Sequence, residues 1–239
     1  MIFPYMKTTL MRKEKHLLRG VARGLPIVLG YIPIGFAFGV LAQKAGLSIW
    51  HTLAMSVFVY AGSSQFIAVS LFSAGVSPIY VIITTFICNL RHMLMSAALS
   101  PHFKGWSKLE QACFAYELTD ESFGVHTLSF KEGSPGKSEI LAVNIIAQIS
   151  WVLGSGLGCT MGGLIPTVEP YGLDYALAAM FIALLVLAIS DRIQVVVAVL
   201  AGVLSLVFML VGLDQWYVIL ATVIGATVGV VVEECIQTR

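Results

Sequence analysis

From residue 45 to residue 90 the chain carries no Asp, Glu, Lys or Arg. A run of that length holds two stretches of about 20 residues, each what an α-helix needs to cross the hydrocarbon of a bilayer. Further uncharged runs cover 140–168, 175–190, 193–213 and 215–232. The shortest, 175–190, needs a short helix or help from its flanks. With 58% hydrophobic and 11% charged residues in 239 and a mean hydropathy of +0.89, the chain reads as an integral membrane protein and not as a water-soluble domain.

A β-barrel would alternate polar and apolar residues along each strand, whereas these runs are apolar on every side. Helices satisfy their own backbone hydrogen bonds inside lipid. The expected fold is therefore all-α: a polytopic membrane helix bundle with seven or eight transmembrane segments, some kinked or broken. A basic segment at 1–20 precedes one transmembrane domain at 21–239.

The net charge of +1 conceals an asymmetry: Lys7, Arg12, Lys13, Lys15, Arg19 and Arg23 face only Glu14 ahead of the first span. Basic flanks favour the inner side of the membrane, so the N-terminus is expected to be cytoplasmic. The basic residues lead into a long helix without an A-x-A-like cleavage site, so the segment is expected to stay attached. The four cysteines, Cys88, Cys113, Cys159 and Cys235, lack C-x-x-C or Cys/His spacing. They read as small apolar packing residues, with no metal expected. No cofactor and no nucleic-acid partner is expected either.

The first span, 22–43, contains "GLPIVLGYIPIGFAFG", which predicts a kink at Pro26 or Pro33 and a close-packed face at Gly35 and Gly39. The second, 50–73, carries "YAGSSQF" near its middle. There Gly62, Ser63, Ser64 and Gln65 weaken the helix together. Irregular backbone at that depth survives only where it lines a cavity or is covered by protein, so these four residues either mark a broken helix or bond to a neighbour.

The third span, 78–99, is interrupted by Asn89, Arg91 and His92. A charge at mid-membrane costs at least about 2.5–3.5 kcal/mol on insertion scales, so Arg91 needs a partner or water. The nearest acids, Glu117, Asp120 and Glu121, fall in the next segment, 109–130. That segment is a polar-lined span, a re-entrant segment or a loop. Crossing by it would put Lys131, Lys137 and Arg192 on the same side as the basic N-terminus. On a regular helix Arg91 points about 160° away from Asn89. One continuous helix is then expected not to aim both at one point. Either the helix loosens at 88–92, or Arg91 serves an ion pair while Asn89 and His92 line the pathway.

Later spans are expected near 140–163, 175–190, 193–212 and 215–233. Ser150, Gly154, Gly158 and Gly162 form one small-residue ridge, and Ala221, Gly225 and Gly229 another.

The motifs "GLPIVLGYIPIGFAFG", "YAGSSQFIA", "CNLRHMLMSAALSP" and "LTDESFG", with "AAMFIALL" at 178–185 as a weaker echo, resemble the AzlC (YgaZ) family. That family is the large subunit of bacterial branched-chain amino acid exporters. The resemblance implies a transporter of the bacterial cytoplasmic membrane, not an enzyme, that exports leucine, isoleucine, valine and, as a further candidate, methionine. It also implies a small membrane partner of the AzlD (YgaH) type.

A zwitterionic substrate suits the polar residues: Arg91 or a broken-helix N-terminus for its carboxylate, Glu117 or Asp120 for its ammonium. No phosphate-binding motif of the G-x-x-x-x-G-K-[ST] type occurs, which leaves proton-coupled exchange as the simpler drive. Two competing classes are an intramembrane serine hydrolase, using Ser63 or Ser64 with His92 or His126, and a non-transporting scaffold for the partner.

Overall fold

A computed structural model describes residues 3–167, 169–172, 175, 178, 179, 182, 185, 186, 189, 191–212 and 217–237. Among the described residues all regular structure is helical. Four helices among the described residues are long and apolar enough to cross a membrane: Glu14–Lys44, Pro78–Phe103, Lys137–Leu164 and Arg192–Leu210. The chain separates into two compact units, Met1–Met180 and Phe181–Arg239. The expected 175–190 span lies largely outside the described residues.

In the first unit, α1 (Phe3–Lys44) is one helix through both Pro26 and Pro33. It starts well before the expected span because the Lys- and Arg-rich segment is itself rich in good helix formers. Helix α2 (Ile49–Ala54) is capped by Ser48, passes into a π-helical turn at Met55–Val59 and stops. Tyr60 then takes a left-handed conformation, φ 39°, and α3 (Gly62–Ser73) begins after Ala61. The second span is thus interrupted, and the break falls immediately ahead of Gly62.

Helix α4 (Pro78–Leu99) follows with Pro78 in its first turn, where a missing N–H costs nothing. Its outward side chains Ile82, Phe86, Met93 and Leu94 are exposed, as lipid contact requires. The segment after it is a second interrupted pair. Helix α5 (Lys108–Tyr116) starts in a capping box of Ser107 and Glu110, and α6 (Asp120–Glu132) starts in another made by Thr119 and Ser122. Leu99, Phe103, Phe114, Leu118 and Ile140 form a buried cluster that pins this corner, with the Phe103 and Phe114 rings 4.4 Å apart.

Helix α7 (Lys137–Met161) lies against α1 with almost no side chain between them. A Cβ on Gly39 would come within 2.1 Å of the Ser155 carbonyl oxygen, and one on Gly158 within 2.0 Å of the Phe36 carbonyl oxygen. The expected small-residue face therefore exists, and its partner is the other glycine ridge. A buried polar chain fastens the interrupted α2–α3 pair to α7. Trp151 Nε1 donates to Gln65 Oε1 at 2.9 Å, Gln65 Nε2 to Ser56 Oγ at 3.2 Å, and Ser56 Oγ to Ser155 Oγ at 2.9 Å.

In the second unit, α8 (Arg192–Leu210) is capped by Asp191, whose carboxylate accepts from Gln194 N at 2.8 Å. It packs with α9 (Tyr217–Gln237). Gly225 faces Ala201 and Gly229 faces Val197 across that contact, so the second small-residue ridge is also an interface between helices.

Candidate functional site

Both interruptions arise from residues that let a helix start inside the protein. At the first, Gly62 leaves room for the Trp151 ring, which a Cβ would meet at 2.9 Å. The first intrahelical bond of α3 runs from Gln65 N to the Ala61 carbonyl. The N–H groups ahead of it have no acceptor within the helix and make its N-terminus electropositive. At the second, Thr119 N donates to Ser122 Oγ at 2.9 Å and Ser122 N donates back to Thr119 Oγ1 at 3.3 Å. Asp120 and Glu121 then sit in the first turn of α6, where negative charge is favoured.

Arg91 joins the two starts. Its Nη2 donates to Ser63 Oγ, in the first turn of α3, and lies 3.0 Å from Asp120 Oδ2, in the first turn of α6. The carboxylate partner expected for Arg91 is thus present. Two residues nearer the start of α4, Asn89 Oδ1 accepts from Ser64 Oγ at 2.5 Å.

Asn89 and Arg91 therefore both reach the start of α3 although α4 is unbroken from Pro78 to Leu99. This corrects the expectation that a continuous helix keeps them apart. Helical projection describes Cβ directions, and the long arginine side chain reaches back around the helix. His92 is half-buried on the same helix, with no hydrogen bond to the cluster among the described residues.

Two tyrosines complete the arrangement, and neither stood out in the sequence. Tyr31 of α1, 5% exposed, donates to Glu121 Oε2 at 2.5 Å and lies 2.7 Å from Thr119 Oγ1. Tyr60, 2% exposed, carries a hydroxyl without a hydrogen-bond partner among the described residues, in the field of Glu121 and Glu117. Tyr60 was visible only as the first letter of "YAGSSQF", and Tyr31 only as the polar atom between Gly30 and Pro33. The site residues Gly62, Ser63, Ser64, Asn89, Arg91, Asp120 and Glu121 thus converge on the two helix starts. Gln65 is instead held by Trp151 and Ser56, and Glu117 stands at the C-terminal end of α5.

The cluster presents two chemical poles. Arg91 and the start of α3 form the positive one, and Arg91 Nε remains a buried donor with no acceptor among the described residues. Glu117, Glu121 and the Tyr60 hydroxyl form the other. Among the described residues no group of three or more His, Cys, Asp and Glu is arranged to hold a metal.

Apolar helices of membrane-spanning length, with two interrupted helix pairs meeting at a charged cluster, define an integral membrane protein built around an internal polar site. The chain belongs to the AzlC protein family, whose model matches residues 26–165, a range that contains every residue of the cluster. It is 32% identical over 196 residues to the inner membrane protein YgaZ of Escherichia coli (strain K12), spanning 79% of this chain and 80% of that protein. Over 225 residues it is 31% identical to an uncharacterized membrane protein of Archaeoglobus fulgidus, spanning 90% of this chain and 94% of that one. The branched-chain amino acid transport protein AzlC of Bacillus subtilis (strain 168) is 24% identical over 163 residues, 68% of this chain and 63% of that protein. No solved structure matches the chain.

Proposed function

We propose that the protein is the large subunit of a secondary transporter that exports leucine, isoleucine, valine and, as a further candidate, methionine from the bacterial cytoplasm. It works by proton-coupled exchange with a small AzlD-type subunit. The observation that carries the reading is the pair of poles. A buried Arg91 Nε without an acceptor, beside the start of α3, is complementary to a carboxylate. Glu117 and Glu121 are complementary to an ammonium. The name of the Bacillus subtilis relative points to the same substrate class.

In this reading the N-terminus is cytoplasmic and α5–α6 counts as an interrupted crossing, which gives eight. If α5–α6 does not cross, seven remain. The hydrolase alternative is disfavoured because Ser63 and Ser64 are bonded to Arg91 and Asn89, while His126 is bonded to Asn144. Among the described residues neither serine is hydrogen-bonded to a base that would activate it.

Cells loaded with leucine- or valine-containing peptides and expressing this chain with its small partner are expected to release the free amino acid faster than control cells. An uncoupler is expected to abolish the difference. Equal efflux from both kinds of cell would sink the proposal, and uncoupler-insensitive efflux would remove the proton from it.

A further inference from the structure

Asn144 lies about two turns into α7, fully buried, in an otherwise apolar stretch. Its Oδ1 is 2.7 Å from Nε2 of His126, which is 1% exposed. Its Nδ2 has no hydrogen-bond partner among the described residues. It approaches the Glu117 carboxylate closely enough to interact with its charge, without reaching hydrogen-bond geometry.

The orientation of this amide is fixed by its neighbour. Turned over, it would aim a carbonyl oxygen at a carboxylate, so the donor end belongs on Glu117 and the carbonyl on His126. His126 Nε2 must then carry the proton.

Glu117 itself stands out among the carboxylates. Asp120 is paired with Arg91, Glu121 with Tyr31, Glu139 with His16 and Arg23, and Glu110 with Lys137. Among the described residues Glu117 has no cationic or hydroxyl hydrogen-bond partner, although the free Tyr60 hydroxyl is close enough to feel its charge. One buried hydroxyl with unused lone pairs, that of Tyr60, thus borders a carboxylate that has no cation among the described residues. Leaving such groups unmatched is costly unless something completes them. A primary ammonium is complementary to both: it donates to Glu117 and to a lone pair of Tyr60 Oη, while the Asn144 amide N–H, itself a donor, is directed at the same carboxylate. An anion is repelled by Glu117 and Glu121.

We infer that Glu117 and the Tyr60 hydroxyl form the subsite for a substrate's ammonium group, with Asn144 as the positioning residue of Glu117 and His126 as the orienter of Asn144. This rests on the amino acid reading above and assigns its cationic end. Asp120 is left to Arg91.

The test uses the full-length protein in lipid nanodiscs. Binding of radiolabelled leucine is competed with 4-methylpentanoate, which is leucine without its amino group. Wild-type protein is expected to prefer leucine clearly. Tyr60→Phe and Asn144→Leu are each expected to weaken leucine by about tenfold, the scale of one hydrogen bond to a charged group, and to leave 4-methylpentanoate unchanged. Glu117→Gln is expected to bring leucine to the level of the analogue. His126→Gln, which keeps a donor for Asn144, is expected to retain more leucine affinity than His126→Leu.

Tyr60→Phe removes a hydroxyl that has no partner in the fold, so it carries the test if Asn144→Leu does not fold. Equal weakening of leucine and analogue in these variants, or no change in either, would overturn the subsite. A wild-type protein that does not distinguish leucine from 4-methylpentanoate would instead overturn the amino acid reading, and the subsite with it.

Discussion

Arg91 Nη2 lies 3.0 Å from Asp120 Oδ2 and also donates to Ser63, so one guanidinium ties together the starts of α3 and α6. The side chains of the pair are 30% and 24% exposed, neither sealed from solvent nor free in it. Removing one partner leaves the other charge without compensation, and removing both does not. Arg91→Gln and Asp120→Asn are therefore each expected to lower export more than they lower the amount of folded protein. The double variant is expected to be less damaged in stability than the sum of the two, with a coupling of about 0.5–3 kcal/mol. Thermal unfolding of the purified variants beside efflux from whole cells measures both. Strict additivity would show that the pair is not energetically coupled.

The approach of α1 to α7 predicts opposite outcomes at two glycines. Gly158→Ala drives a Cβ to 2.0 Å from the Phe36 carbonyl oxygen, whereas a Cβ on Gly30 meets nothing within 4 Å. The first is expected to destabilise the protein by about 1–3 kcal/mol through overpacking. The second is expected to be neutral or slightly stabilising, because alanine is the better helix former. Melting temperatures in one detergent decide this, and a Gly158→Ala protein as stable as the wild type would contradict the backbone contact.

Trp151 holds Gln65 through a single hydrogen bond at 2.9 Å, and Gln65 holds Ser56. Trp151→Phe keeps most of the ring but leaves Gln65 Oε1 buried without a donor. A loss of about 1–2 kcal/mol is expected, together with greater protease sensitivity at the α2–α3 break. Unchanged sensitivity would mean that the break is held by packing alone.

Where α1, α6 and α7 come together, Glu139 is 4% exposed and is met by His16 Nδ1 at 3.2 Å and Arg23 Nε at 3.3 Å, while Arg23 Nη2 reaches Glu132 at 2.8 Å. Arg23→Gln strips a buried carboxylate of its permanent cation. Its melting temperature is expected to fall, and Glu139→Gln added to it is expected to recover part of the loss. Failure of that recovery would place the cost of Arg23→Gln elsewhere.

The broad features were legible because lipid imposes them. Uncharged runs could only be helices, "YAGSSQF" was a poor place for a helix to continue, and Arg91 had few acids within reach. The angular separation of Asn89 and Arg91 misled, since periodicity describes where side chains leave the helix and not how far an arginine extends. The sequence of α5–α6 was ambiguous for a related reason: Thr119 followed by Asp120 and Glu121 reads equally well as a surface cap and as a helix start inside a protein. Tyr60 and Asn144 were silent because their importance lies in what they fail to bond, which only coordinates display.

The carbonyl of Phe36 beneath Gly158, and that of Ser155 beneath Gly39, leave one backbone no clearance to slide or roll on the other. Tyr31 and Asn144 are carried on these two helices, so they stay fixed relative to each other when the protein changes shape. Gly105, Gly124 and Gly133, in contrast, have open space around them, and they flank or lie within the segment that bears Glu117, Asp120 and Glu121. Any rearrangement of the cluster therefore has to be carried by α3, α4 and α6 against the close-packed pair of α1 and α7, and Arg91 is bonded to both helix starts that such a rearrangement would involve.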